Sequence, residues 1–187
     1  MAERFDFELV FGLPEGEHDP FALSDAVFEA GYEDALVGTG NPRLLAVEIG
    51  TEGEDAEAAM IAAARAIIKK LPEGSELREA RPDLVSQADV AEKLGVSRQS
   101  LQKRKMPLPV AGGLYRIDEV EACLLEAERS AQRKPRFDLG NARDWFRAGH
   151  AARRLNARIA MGMLDARTLE PVDPSTEGTA SPVAAGG

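Results

Sequence analysis

The sequence predicts an α+β protein, and three features of its 187 residues carry that expectation. Phe5-Asp6-Phe7-Glu8-Leu9-Val10-Phe11 alternates large apolar with polar side chains, the period-two pattern of a half-buried strand. Glu54 to Leu71 is Ala-rich and brings Met60, Ala63, Ile67 and Leu71 near one face, the helical period. From Ser86 onward two short helical segments, each opened by a serine cap, meet at Gly95.

The other elements follow in chain order. Gly12 to Pro20 is rich in Gly, Pro and acid and reads as a loop. Its Glu15, Glu17, His18 and Asp19 are a solvated acidic turn rather than an ion site. Phe21 to Ala30 spaces Leu23, Val27 and Ala30 as a helix does, and stops at Gly31. Asp34 to Gly38 and Leu44 to Ile49 are short apolar strands joined by Gly40-Asn41-Pro42, a hairpin signal. The Glu54–Leu71 helix carries acid in its first turn and Lys69-Lys70 in its last, which suits the helix dipole, and Pro72-Glu73-Gly74 ends it. Glu76 to Arg81 is the last strand, with little alternation beyond Leu77 and Ala80. The order over residues 1–81 is β-α-β-β-α-β, the ferredoxin-like plan, whose four-stranded sheet carries both helices on one face.

Pro82 is the expected joint to a second module spanning residues 82–129. Ser86-Gln87-Ala88-Asp89 has the form of a capping box, with Val85 and Val90 placed as a hydrophobic staple. Val90, Ala91 and Leu94 give an inward face, and Gly95 supplies the left-handed residue of a sharp turn. Ser97 caps the next helix, Val96 can staple to Leu101, and Ala91 is small enough for the two helices to cross closely. Ser86 to Lys105 therefore reads as a helix-turn-helix. Its second helix offers Arg98, Gln99, Gln102 and Lys103 on the outer side. Arg can take guanine O6 and N7 together, and Gln can pair with adenine N6 and N7. Arg104 and Lys105 add positive charge, and no acid lies between Arg98 and Lys105. Ser97, Ser100 and the first amides of this helix are candidates to hold phosphates.

The segment Ala88 to Leu101 resembles the helix-turn-helix of bacterial transcription regulators. Pro107 to Ile117 looks like a small hairpin wing turning at Gly112-Gly113, and Asp118 then caps a helix through Leu125. This order is similar to the winged helix of the MerR, excisionase and AlpA-type group, over about a quarter of the chain. The resemblance implies that Arg98, Gln99, Gln102 and Lys103 read bases and that Tyr115 and Arg116 touch phosphate or minor groove.

Beyond Ser130 the chain turns basic. Residues 130–167 read as a helical extension, with Asp138 to Leu164 as one long helix, and residues 168–187 as a disordered tail of Pro, Gly, Ser, Thr and Ala. Arg133 to Arg158 holds 8 basic and 2 acidic residues, with an apolar side that includes Trp145, Phe146 and Leu155. Two readings stand open. Arg143, Arg147, Arg153, Arg154 and Arg158 either give auxiliary DNA backbone contact or dock on the acidic N-terminal module.

The net charge of −9 is unevenly spread. Residues 1–81 carry 7 basic and 18 acidic groups, residues 82–129 carry 7 and 8, and residues 130–187 carry 9 and 6. Screening over roughly 8–10 Å lets the local balance outweigh the total. Cys123 has no cysteine partner and reads as a buried small hydrophobe. The two histidines, His18 and His150, lack partners at ligand spacing, so neither a metal, a cofactor nor a catalytic residue is expected. No apolar run of about eighteen residues exists and the N-terminus lacks a signal segment, so a cytoplasmic protein is expected.

The expected function is sequence-specific binding of double-stranded DNA by a homodimeric transcriptional regulator rather than an enzyme. One alternative is an excisionase-like architectural or recombination accessory factor. Another is a protein-interaction adaptor, antitoxin-like or anti-repressor, acting through the acidic module. That module has three readings: pairing subunits, binding a protein or small-molecule effector, or mimicking DNA charge.

Overall fold

Alternation in the first strand settles where the main core lies. Phe5, Phe7, Leu9 and Phe11 of β1 (Glu3–Gly12) all point to one face and are buried. A computed structural model of the protein describes residues 3–130 and 137–173. Its fold is mixed α+β, with a four-stranded antiparallel sheet, a two-stranded sheet and six α-helices among those residues.

After β1 come α1 (Pro20–Glu29), β2 (Leu36–Asn41), β3 (Leu44–Gly53), α2 (Ala56–Ile68) and β4 (Glu76–Arg81). Asp19 caps α1 by accepting the Phe21 amide at 3.0 Å, and Asp55 caps α2 by accepting the Ala58 amide at 2.8 Å. The sheet order is β2-β3-β1-β4. Leu77 and Ala80, three residues apart, are both buried because β4 carries an extra residue opposite Val10 and Phe11. That bulge is why this strand lacks plain alternation in the sequence.

The second half of the chain contains β5 (Leu84–Ser86), α3 (Gln87–Lys93), α4 (Arg98–Gln102), β6 (Leu114–Arg116), α5 (Ile117–Ser130), a 3-10 turn (Leu139–Ala142) and α6 (Arg143–Ala160). Gly112 and Gly113 have φ of +51° and +80°, so the tight turn falls where expected. The returning strand β6, however, pairs with β5 rather than with residues 107–110. The expected hairpin is thus reduced to its turn, which the Val110 amide closes by donating to the Leu114 carbonyl at 2.7 Å.

Two cores result, and α6 serves both. The first joins the inner sheet face to Leu23 and Val27 of α1, Met60, Ala63, Ala64 and Ile67 of α2, and Ala148, Ala151, Ala152 and Leu155 of α6. The second joins Val85, Val90, Ala91, Leu94, Leu101, Ile117, Val120 and Leu124 to Phe137, Leu139, Ala142 and Phe146. Residues 137–160 are therefore no separate extension. Their apolar side completes both cores, because three alanines and a leucine at helical spacing fit flat against the sheet.

The chain end departs from expectation too. Leu169 is fully buried, Pro171 bridges to Leu164, and Arg65 Nε donates to the Thr168 carbonyl at 3.2 Å. Residues 168–173, expected within a disordered tail, thus form a hook on the first core, while 174–187 lie outside the described residues. Cys123 is half-exposed rather than buried, its neighbours Val120 and Leu124 taking the core positions. No helix among the described residues is long and apolar enough to cross a membrane.

Candidate nucleic-acid interface

A five-residue helix has no stability of its own, so α4 is held by its ends and by one anchor. Before it, α3 opens on a complete capping box. The Ser86 amide donates to Asp89 Oδ2 at 2.8 Å, and the Asp89 amide donates to Ser86 Oγ at 3.2 Å. Helix α3 closes with the Gly95 amide donating to the Glu92 carbonyl and the Val96 amide to the Ala91 carbonyl. That pair of bonds is the Schellman stop, and it requires Gly95 at φ +64°. Ser97 then caps α4 by accepting the Ser100 amide at 3.1 Å. Such a cap contributes about 1 kcal/mol. Leu101, with no exposed surface, drives into the second core and contributes about 1.5–3 kcal/mol more.

With Leu101 inward and Ser100 half-buried, the other residues of α4 face out. Arg98, Gln99 and Gln102 are exposed, as are the capping Lys103 and the following Lys105. Among the described residues, Arg98, Lys103 and Lys105 take part in no ion pair, and Gln99 and Gln102 make no hydrogen bond through their side chains. Three cations and two amides are thus presented by α4 and the three residues after it with no side-chain partner among the described residues.

Other expected contact residues are already engaged. The Arg104 guanidinium lies over the Phe137 ring at 4.4 Å and is half-buried. Tyr115 accepts a hydrogen bond from Gln87 Nε2 at 3.2 Å, and Arg116 sits 3.8 Å from Glu119. Ser100 is half-buried, and the Ser97 hydroxyl serves its own helix as the cap. These side chains shape the support of α4 before they can meet anything else.

The arginines of α6 differ most from the open face of α4. Arg154 Nε and Arg158 Nη1 both donate to Glu57 at 2.9 and 2.7 Å. Arg147 donates to Glu3, and Arg153 donates to Asp118 at 3.0 Å. Four of the five arginines considered for auxiliary DNA contact are ion-paired within the molecule, three of them to two carboxylates of the acidic N-terminal segment, Glu3 and the shared Glu57. Arg143, alone of the five, is exposed with no ion pair among the described residues. Arg133, Lys134 and Arg136 lie outside the described residues. Sequence reading missed Glu57 as a partner, because a lone carboxylate about a hundred residues away carries no local signal.

A cleft of about 530 Å³ opens between the outer sheet face and α3. Asp6, Glu8, Glu48 and Glu79 line it from the sheet, Asp89 and Glu92 from α3, and Trp145 closes one side. Arg81 stands among these carboxylates. Burial works against its charge, but hydrogen bonding and attraction from Glu79, then Glu8, raise its pKa overall. The cleft repels anions, so the outer sheet face is no extension of the α4 surface toward a phosphate backbone.

No protein-family model, curated protein or solved structure gave a significant match to the chain.

Proposed function

We propose that the chain is a sequence-specific DNA-binding transcriptional regulator in which α4 enters the major groove. One observation carries the reading: among the described residues Arg98, Gln99, Gln102, Lys103 and Lys105 stand exposed with no side-chain partner, while Arg147, Arg153, Arg154 and Arg158 of α6 are ion-paired. A free Arg and two Gln on one short helix match the bidentate geometry of guanine and adenine edges. Lys105 supplies the phosphate attraction that positions such a helix. The capping box, the Schellman turn and the Gly112-Gly113 turn support a winged helix-turn-helix of the MerR, excisionase and AlpA-type group. The strand order β2-β3-β1-β4, with a helix after β1 and after β3, supports a ferredoxin-like module in front of it. Base reading falls to Arg98, Gln99, Gln102 and Lys103, and backbone contact to Lys105, with Arg143 as the remaining candidate from α6.

A second reading, an architectural factor that bends DNA, draws on the loop after α4. Leu108 is 86% exposed and Val110 45% exposed on that loop. Apolar side chains presented in this way can wedge between base steps from the minor groove. Footprinting on genomic fragments selected by the protein separates the two: an isolated operator supports regulation, and a side-by-side array with bending supports the architectural role.

Fluorescence-anisotropy titrations on a selected site, run across a salt series, test the common core of both readings. Replacing Arg98, Gln99, Gln102 and Lys103 together by Ala abolishes discrimination between the site and a scrambled duplex, and Arg98→Ala alone costs about 1–3 kcal/mol at one base pair. Lys105→Ala lowers the slope of log K against log salt by about one. Arg154→Ala lowers that slope by less than Lys105→Ala does, because Arg154 is paired to Glu57, which it shares with Arg158. Unaltered affinity in the quadruple variant overturns the assignment.

A further inference from the structure

Residues 1–81 hold 18 acidic and 7 basic groups, yet one cavity there reverses the balance. Where β1 ends and β3 and β4 begin, a cavity of about 480 Å³ is lined by Arg43, Arg78 and Arg167 against a single carboxylate, Glu76. The three arginines come from the β2–β3 turn, from β4 and from the hook after α6.

A separate backbone device places each of them. The Leu13 amide donates to the Arg43 carbonyl at 3.0 Å, and Arg43 Nε donates back to the Leu13 carbonyl at 3.1 Å. Arg78 is the extra residue of the β4 bulge, an irregularity by which strands re-aim a side chain. Its stem lies against β1 at Gly12, where a Cβ would fall 2.9 Å from Arg78 Cγ. Arg167 stands in the turn that Asp165 closes, one residue after Ala166, whose carbonyl accepts the Leu77 amide at 2.8 Å. A guanidinium that only meets water needs no such placement, and like charges brought together cost energy unless an anion joins them.

The carboxylates nearby do not supply that anion in full. Glu76 Oε1 accepts from Arg78 at 3.1 Å, but its Oε2 stands 3.9 Å from Arg167, beyond hydrogen-bond length. Glu15 is 3.6 Å from Arg43 and 92% exposed. Each guanidinium carries five N–H donors in a planar fork. Most of the donors gathered here therefore meet no protein acceptor among the described residues.

Charge and volume select the ligand. Three guanidiniums against Glu76 leave an excess of about two positive charges, and a phosphomonoester carries about −1.5 to −2 near pH 7. A monocarboxylate would balance only half of that excess. Arginine forks also take phosphate oxygens two at a time. Leu13, Pro14 and Leu44 line the same cavity and offer apolar surface to an organic body. The volume lies within the roughly 300–1,000 Å³ of small-molecule sites.

We propose that this cavity binds a small phosphomonoester, with Arg43, Arg78 and Arg167 around its phosphate. Six residues of β4, roughly 17 Å of strand, lie between the cavity and the entry to α3. The site is thus distinct from the α4 face and does not depend on what α4 reads.

Amide chemical-shift titration of the isotope-labelled full chain, without DNA, tests the assignment. The probes are ribose 5-phosphate, inorganic phosphate and ribose. Ribose 5-phosphate is expected to give saturable shifts centred on Leu13, Arg43, Gly74 and Arg167, with a Kd of about 1 mM or tighter. Inorganic phosphate binds there about fourfold or more weakly, having no body to lay on the apolar wall, and ribose gives no shift. Arg78→Gln and Arg167→Gln each weaken ribose 5-phosphate by about tenfold or more. Lys69→Gln, an equal loss of charge at the exposed C-cap of α2, leaves its Kd unchanged. Spectra of the ligand-free variants show that each is folded. The proposal is overturned by shifts that are absent or do not saturate, by shifts centred on α4, or by ribose 5-phosphate and inorganic phosphate binding alike. Binding indifferent to both arginine substitutions, or weakened as much by Lys69→Gln, overturns it too. No DNA enters the experiment, so its failure leaves the DNA-binding reading standing.

Discussion

Gly149 occupies the point where α6 crosses the start of α5 and the linker after β4. A Cβ there would press into the Ile117 side chain and come within 2.9 Å of the Pro82 carbonyl oxygen. Ile117 is fully buried and the carbonyl is backbone, so neither can yield cheaply. Alanine is favoured over glycine inside a helix by about 1 kcal/mol, while overpacking of a tight crossing costs about 1–3 kcal/mol. Gly149→Ala is therefore expected to destabilise the fold despite its better propensity, read as a lower urea midpoint at unchanged slope. A higher midpoint sinks this account of the crossing. Nothing local in the sequence distinguishes Gly149 from any helix-weakening glycine, whereas Gly95 is legible because the caps that demand it lie within a few residues. The same contrast separates Ser86, Asp89 and Ser97 from Arg154 and Arg158. The former bond to neighbours three positions away, and the latter to Glu57, which lies 97 and 101 positions away.

At the scale of elements, the sequence announces the first six because each has a clear period or a proline or glycine stop. It announces a helix over Asp138 to Leu164 but leaves its docking open, because the alternation of arginine with alanine in α6 fits a solvated helix as well as a docked one, and it conceals the hook that follows. That hook turns on Asp165, whose Oδ1 accepts the Arg167 and Thr168 amides, both at 2.8 Å. Those backbone hydrogen bonds hold the Asp165 carboxyl below its ordinary value of 3.8. A carboxyl depressed on folding contributes stability above its unfolded pKa and loses it as pH falls through the folded one. The stability gap between the natural chain and Asp165→Asn is thus expected to be constant from neutral pH down to about 4 and to shrink below that. Denaturant midpoints across the acid range read it, and a gap that widens toward acid contradicts the assigned cause. Exposure of the carboxylate keeps the effect modest.

For the whole molecule, the decisive fact is that one helix belongs to two cores. Phe146 near the start of α6 packs in the second core, and Ala148, Ala151, Ala152 and Leu155 pack in the first. If the α4 region opened alone, it would strip Phe146 and the Phe137 segment from their contacts and strain the helix that covers the sheet. If the sheet opened alone, Glu57 and Glu3 would abandon Arg147, Arg154 and Arg158 while the second core tried to keep the same helix. Chains of this length with two cores commonly unfold in steps, but here neither half keeps its apolar cover without the other. A single transition is expected. Trp145, the one tryptophan, reports on the second core, where it meets Phe146 edge-on with ring centroids 5.1 Å apart. Far-ultraviolet circular dichroism reports on the sheet and helices together. Urea curves from the two probes should superimpose, and a tryptophan transition that precedes the loss of ellipticity would show that α6 does not unite the cores.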